Sequence, residues 1–185
     1  MALITKNPCK LKFGDSAPDF SLPGVDDKTY SLASFKDKKI LVVMFTCNHC
    51  PYVQAYEERI IAVQRDYTTK GVQLVAINAN ETKNYPEDNF ENMVIRTKEK
   101  RYNFPYLRDE TQKTAKAYDA ACTPEIYAFD EKRLLRFHGR LDDNYEEPEK
   151  VTKQFLRQAL DEMLTGKPVS IPESHPIGCS IKWEG

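Results

Sequence analysis

The stretch that most limits what this chain can fold into is a change of hydrophobic period between residues 40 and 77. Ile40-Leu41-Val42-Val43-Met44-Phe45 is an unbroken apolar run. A run this short with no polar face suits a strand covered on both sides, as in a parallel sheet. Directly after it, Val53, Tyr56, Ile60, Val63 and Tyr67 recur at steps of three and four, which draws one apolar stripe along a helix. Gly71 stops that helix, and Val72-Gln73-Leu74-Val75-Ala76-Ile77 reads as a second buried strand. Strand, helix and strand at this spacing form a βαβ unit, with parallel strands and a right-handed crossover.

The flanking sequence extends this unit into a mixed sheet. Phe20-Ser21-Leu22-Pro23 and Thr29-Tyr30-Ser31-Leu32 flank the turn-rich Gly24-Val25-Asp26-Asp27-Lys28, which predicts a small hairpin. Phe90, Met93 and Val94 mark a helix after Pro86, and a short strand follows near 104–107. A helix over about 111–120 comes next, with Asp109 and Gln112 placed as a capping pair. Ile126-Tyr127-Ala128-Phe129 and Leu134-Leu135-Arg136-Phe137 enclose Asp130-Glu131-Lys132-Arg133, an antiparallel hairpin. Val151, Phe155, Ala159, Leu160 and Met163 give a last amphipathic helix before Gly166 and Pro168. The expected product is one α/β domain over 1–185, a central mixed sheet with helices on both faces. Residues 1–38 form an N-terminal hairpin extension, and 166–185 an irregular C-terminal tail.

The chemistry gathers where the first strand meets the first helix, in Thr46-Cys47-Asn48-His49-Cys50-Pro51. In open α/β sheets such junctions are where reactive groups collect. The free N–H groups and partial positive charge of a helix start favour the thiolate form of a nearby cysteine, and only the thiolate is nucleophilic. Cys50, three residues beyond Cys47, falls on the same side of the first turn, within reach of a mixed disulfide formed at Cys47. A cationic His49 would further stabilise the thiolate; the alternative is a solvated histidine with little effect. Pro51 lies within the first helical turn, where a missing backbone donor is tolerated. Cys122-Thr123-Pro124 stands just before the strand at Ile126, and a proline there marks a strand start or a special turn.

Five cysteines (9, 47, 50, 122 and 179) are an odd number thinly spread over 185 residues, unlike a secreted disulfide framework. Cys9, Cys122 and Cys179 read either as small buried hydrophobes or, for Cys122 and Cys179, as auxiliary thiols. A Cys-x-x-Cys pair also fits half of a zinc site, but no second close Cys/His pair exists to complete it; Cys122, Cys179, His138 and His175 are available only by long-range assembly. No metal and no cofactor are therefore expected. Lys plus Arg number 27 and Asp plus Glu 28, a net charge of −1. That balance gives no electrostatic case for nucleic acid or an anionic membrane. No apolar run nears the roughly 20 residues of a membrane span, and Met1-Ala2-Leu3-Ile4-Thr5-Lys6 does not read as a secretory signal, so a cytoplasmic address is expected.

With these residues in view, the chain resembles the thioredoxin-like superfamily, in its peroxiredoxin-like (AhpC/TSA, TlpA/ResA-related) branch. Gly14-Asp15-Ser16-Ala17-Pro18-Asp19-Phe20-Ser21-Leu22 and Tyr30-Ser31-Leu32-Ala33-Ser34-Phe35-Lys36 look like that branch's entry hairpin, and the resemblance covers about 11–165. Cys47-Asn48-His49-Cys50-Pro51-Tyr52 and Gly178-Cys179-Ser180-Ile181-Lys182-Trp183 look like a subgroup known only as redoxins. The resemblance implies a thioredoxin fold in which Pro124 is a cis-proline facing the cysteine pair and Thr123 offers backbone groups to a bound substrate. Three departures stand out. A peroxiredoxin carries Thr or Ser three residues before its peroxidatic cysteine and Pro seven before; Met44 and Ile40 hold those positions before Cys47, and Cys47 and Val43 before Cys50. The carboxylate that thioredoxin carries on the strand leading to its motif is missing from 40–45, which leaves the proton acceptor for Cys50 unassigned. Thr46 stands where a tryptophan is usual.

The leading expectation is a thiol-disulfide oxidoreductase in which Cys47 attacks, Cys50 resolves and His49 tunes the poise. Its partners would be a protein or small-molecule disulfide or thiol and a separate electron donor. Two alternatives stay open: a divergent thiol peroxidase with Cys47 peroxidatic, and a module holding a soft metal through Cys47, Cys50 and a distant ligand.

Overall fold

The apolar run at 40–45 becomes the centre of a six-stranded sheet in the computed structural model, which describes residues 2–4 and 11–185. Cys9 lies outside the described residues. In chain order come β1 (Ala2–Ile4), β2 (Ser21–Pro23), β3 (Thr29–Ser31), β4 (Ile40–Thr46), α1 (Pro51–Tyr67), β5 (Val72–Asn78), α2 (Phe90–Lys100) and β6 (Tyr106–Arg108). Then follow α3 (Lys113–Ala117), β7 (Cys122–Thr123), β8 (Glu125–Phe129), β9 (Leu135–Gly139), α4 (Phe155–Leu164), β10 (Glu173–Ser174) and β11 (Ile177–Ser180). The central sheet runs β10-β9-β8-β4-β5-β6. β4 is parallel to β5, with Ile40 opposite Val72 and Thr46 opposite Asn78, and antiparallel to β8. This is the mixed sheet with helices on both faces that the sequence predicts.

Every residue of β4 is buried because the strand supplies two cores at once. Val42 and Met44 pack with side chains of α1 and α4, including Tyr56, Ile60, Leu156 and Leu160. Leu41, Val43 and Phe45, on the other face, meet Phe20, Leu22, Phe35 and Tyr118. Each such side chain, fully buried, contributes about 1.5–3 kcal/mol. This two-sided anchoring makes the end of β4 a fixed platform for the residues that follow.

Four expectations need correction. The last helix begins at Phe155, not near Val151, because Pro148 opens a separate short turn that leaves Val151 extended. The helix expected over 111–120 spans only Lys113–Ala117: Gln112 and Asp119 both adopt left-handed backbone, at φ 58° and 55°, and interrupt it on either side. Asp109 Oδ2 does accept from the Ala115 N–H (2.8 Å), but the Gln112 side chain serves other partners, so the two are not a reciprocal cap. The tail is not irregular throughout. It supplies β10, parallel to β9, and β11, which lies between β1 and β7 in a separate three-stranded sheet. Strands of two and four residues, held by pairing to distant partners, leave no periodic trace in a sequence.

Candidate active site

Cys47 follows β4 directly, and Cys50 is the N-cap residue of α1, with Pro51 at the first helical position, where its missing N–H costs nothing. Both sulfurs are buried, at 1% and 0% exposure. Across from them stands Thr123, whose peptide bond to Pro124 is cis. Cys50 Sγ donates to the Thr123 carbonyl (3.1 Å), and Cys47 Sγ lies 3.4 Å from Thr123 Oγ1.

The two thiols hydrogen-bond to each other and behave as a pair that releases its first proton early and its second late. The hydrogen bond from Cys47 lowers Cys50 to about 5, against the opposing effect of burial, with help from the Val53 N–H at the helix start and from the Cys179 and Thr123 side chains. The same bond, then burial and the charge of Asp88, push Cys47 well above its ordinary value. One negative charge is thus shared between the sulfurs. It rests on Cys50 when Cys47 donates, and on Cys47 when Cys50 turns its proton to the Thr123 carbonyl.

The loop between the cysteines is pinned by a residue that sequence reasoning missed. Asp88 is completely buried. Its carboxylate accepts from the backbone of Asn48 (2.6 Å) and His49 (3.3 Å) and from Asn80 Nδ2 (2.7 Å), and it pairs with His49 Nδ1 (2.6 Å). Burial opposes ionisation of Asp88, but the bonds from His49, Asn80 and Asn48 outweigh it and hold the carboxyl below its usual range. In return the hydrogen bond to Asp88 pulls His49 upward against burial. The His49 ring stacks on Tyr85 at 5.4 Å. Asn48 is fixed further by Tyr106 Oη, which donates to its Oδ1 (3.0 Å). Cys47 Sγ, a ring nitrogen of His49 and an Asp88 oxygen all lie within 4.8 Å of one another. Next to Pro86 and just ahead of α2, Asp88 reads in sequence as an ordinary helix-start acid; only the fold carries it beneath the cysteine loop.

A second missed carboxylate serves the opposing segment. Glu125 Oε2 accepts from the backbone of Ala121 (2.7 Å) and Cys122 (3.1 Å), while Oε1 accepts from Tyr127 Oη (2.9 Å) and pairs with His138 Nε2 (2.7 Å). A charged residue opening the otherwise apolar strand 125–129 was the available signal. The two auxiliary thiols now part company. Cys122 is fully buried, and burial together with the nearby Glu125 pushes its thiol well up, so it behaves as a core side chain. Cys179, on β11, packs against Cys47, Cys50 and Val53 and stands opposite Thr123, and burial and the neighbouring Cys50 push its thiol up to about 11. The Thr123 edge that the resemblance set aside for a substrate is therefore lined by the chain's own β11.

No helix among the described residues is long and apolar enough to cross a membrane. No curated protein matches the chain. Among solved structures, the chain is similar to an uncharacterised conserved protein from Geobacillus kaustophilus, with 43% identity over 100% of this chain and 97% of that one and a TM-score of 0.92. It is also similar to a hypothetical protein from Sinorhizobium meliloti 1021, with 40% identity, coverage of 95% and 97%, and a TM-score of 0.90. A thiol:disulfide interchange protein of the thioredoxin family from Chlorobium tepidum TLS shares the fold, at 22% identity, coverage of 68% and 84%, and a TM-score of 0.58. The AhpC/TSA family pattern matches residues 13–138, and with this thioredoxin-type sheet around the matched segment the chain belongs to the AhpC/TSA family of thioredoxin-like redoxins.

Proposed function

We propose that this protein is a thiol-disulfide oxidoreductase working through a Cys47/Cys50 couple. The observation that carries the reading is two neighbouring sulfurs packed at a helix start and facing Thr123, one of them lowered to about 5. Cys47 thiolate attacks a disulfide, one substrate sulfur leaves as thiolate, and Cys50 then displaces Cys47 from the mixed species to close the Cys47–Cys50 disulfide. Thr123 Oγ1 is placed to donate to Cys47 while it holds charge, and the Thr123 carbonyl to hold the Cys50 proton meanwhile. The His49–Asp88 pair stands in for the carboxylate absent from β4, as a buried proton-holding group beside the couple. The substrates are protein or small-molecule disulfides, with a separate thiol donor to restore the reduced pair, and the working compartment is a reducing one such as the cytoplasm.

The test is reduction of insulin and of a small aromatic disulfide. Cys47→Ser abolishes both, and Cys50→Ser accumulates a mixed disulfide on Cys47. Wild-type rates no higher than those of Cys47→Ser with either substrate would remove this reading.

A second reading rests on the cluster of Cys47 Sγ, a His49 ring nitrogen and Asp88, a donor set suited to zinc. It requires the short His49–Asp88 bond to open. Elemental analysis of protein purified without chelator separates the two: about one equivalent of zinc, lost in Cys47→Ser, would favour the metal module.

A further inference from the structure

β11 runs along β7 with Cys179 opposite Thr123 and Ser180 opposite Cys122. The approach is so close that a Cβ at Gly178 would sit 2.0 Å from the Thr123 carbonyl oxygen, so the residue before Cys179 has room only for glycine. The chain beyond is also fastened. Ile181 N donates to Ala121 O (3.0 Å), Lys182 N to Asn80 Oδ1 (2.8 Å), and the Lys182 carbonyl accepts from Gln112 Nε2 and Glu81 N (each 2.8 Å). Cys179 is thus presented to the cysteine pair by a seated strand and does not hang on a loose tail. It packs against Cys47 and Cys50 and, unlike them, is partly open to solvent.

We propose that β11 acts as an internal substrate strand and that Cys179 is a third redox thiol, carrying the disulfide from the buried Cys47–Cys50 pair to the surface. This rests on the redox reading of that pair. The Cys179 sulfur attacks Cys50 Sγ, the Cys47–Cys50 bond breaks, and Cys47 leaves as a thiolate that takes up the proton released from Cys179. One disulfide and one thiol stand on each side, so the step needs no oxidant or reductant. An external dithiol then attacks the accessible Cys179 sulfur, is itself oxidised to a disulfide, and returns Cys50 and Cys179 to thiols.

While the pair is reduced, burial and then the neighbouring Cys50 push Cys179 up to about 11. A disulfide at Cys50 removes the negative charge of that sulfur, while burial still raises the Cys179 thiol and the cation of Lys182 opposes it.

The experiment is a disulfide map. The full-length reduced chain is treated with limiting diamide, acid-quenched, alkylated and analysed by mass spectrometry, alongside Cys47→Ser and Cys47→Ala so that neither variant's folding decides alone. The expected result is both Cys47–Cys50 and Cys50–Cys179 links in the wild type. In the two variants Cys50–Cys179 becomes the dominant internal link, at least tenfold over any link to Cys122. A wild type with only Cys47–Cys50, and variants whose Cys50 and Cys179 stay free, overturn the relay and leave the redox reading standing. A wild type that forms neither link and reduces neither insulin nor the small disulfide removes both.

Discussion

Asp88 and Glu125 are both buried carboxylates joined to a histidine, and both accept backbone N–H groups from a segment that meets at the sulfurs, yet the two pairs are built differently. The His49 side chain keeps 25% exposure, so its proton can exchange with solvent while Asp88 stays dry. His138 and Glu125 are both enclosed, at 5% and 3%, and Glu125 spends its remaining capacity on Ala121, Cys122 and Tyr127. The first pair is placed to change charge next to Cys47; the second holds a turn in shape. Similar chemistry thus stands open to solvent in one place and sealed in the other, and on the proposed function only the open pair tunes the sulfurs.

The comparison is broken hardest by Asp88→Ala. That change leaves the Asn48 backbone N–H, Asn80 Nδ2 and His49 without their shared acceptor, and a loss of about 3 kcal/mol is expected in urea unfolding. Glu125→Gln, which keeps the shape and removes the charge, is expected to cost less, about 1–2 kcal/mol by the same measurement. The two sites separate more sharply in thiol titration followed by thiolate absorbance. Asp88→Asn moves the later of the two steps of the Cys47/Cys50 pair to lower pH, because it removes the negative charge that raises Cys47, whereas Glu125→Gln leaves that step in place.

The smallest effect is in stability against pH. Asp88 is lowered by folding, so its contribution is present above the unfolded carboxylate value and is lost as pH falls through the still lower folded one. His49 is raised, so its contribution is complete below the unfolded histidine value, about 6.5, and fades as pH rises through the folded one. Thermal unfolding across pH should show both losses in the wild type. In His49→Gln the alkaline loss should vanish.

Much of the frame was legible in the chain because period and burial speak locally. The apolar run of β4, the stripe on α1 and the second run of β5 fix the platform, and the cysteines at its end follow from their position. Asp88 is not legible, since a carboxylate near a proline reads as solvated until distant elements close over it, whereas Glu125 leaves one trace, a charge at the head of an apolar strand. α3 is shorter than its sequence suggests because the left-handed backbone at Gln112 carries no mark, and that at Asp119, a residue type that tolerates it, only a weak one. β11 was missed for a related reason: four residues held by cross-strand pairing have no rhythm of their own.

The seating of β11 on β7 also bears on what can reach the sulfurs. A polypeptide that docks by adding a strand at Thr123 competes with a segment that is already there at an effectively unlimited local concentration. Its apparent affinity is scaled down by the fraction of molecules in which that segment has peeled away. On the proposed function, compact thiols and disulfides, which need no sheet edge, escape this penalty, and reactants are sorted by size before any sulfur chemistry begins.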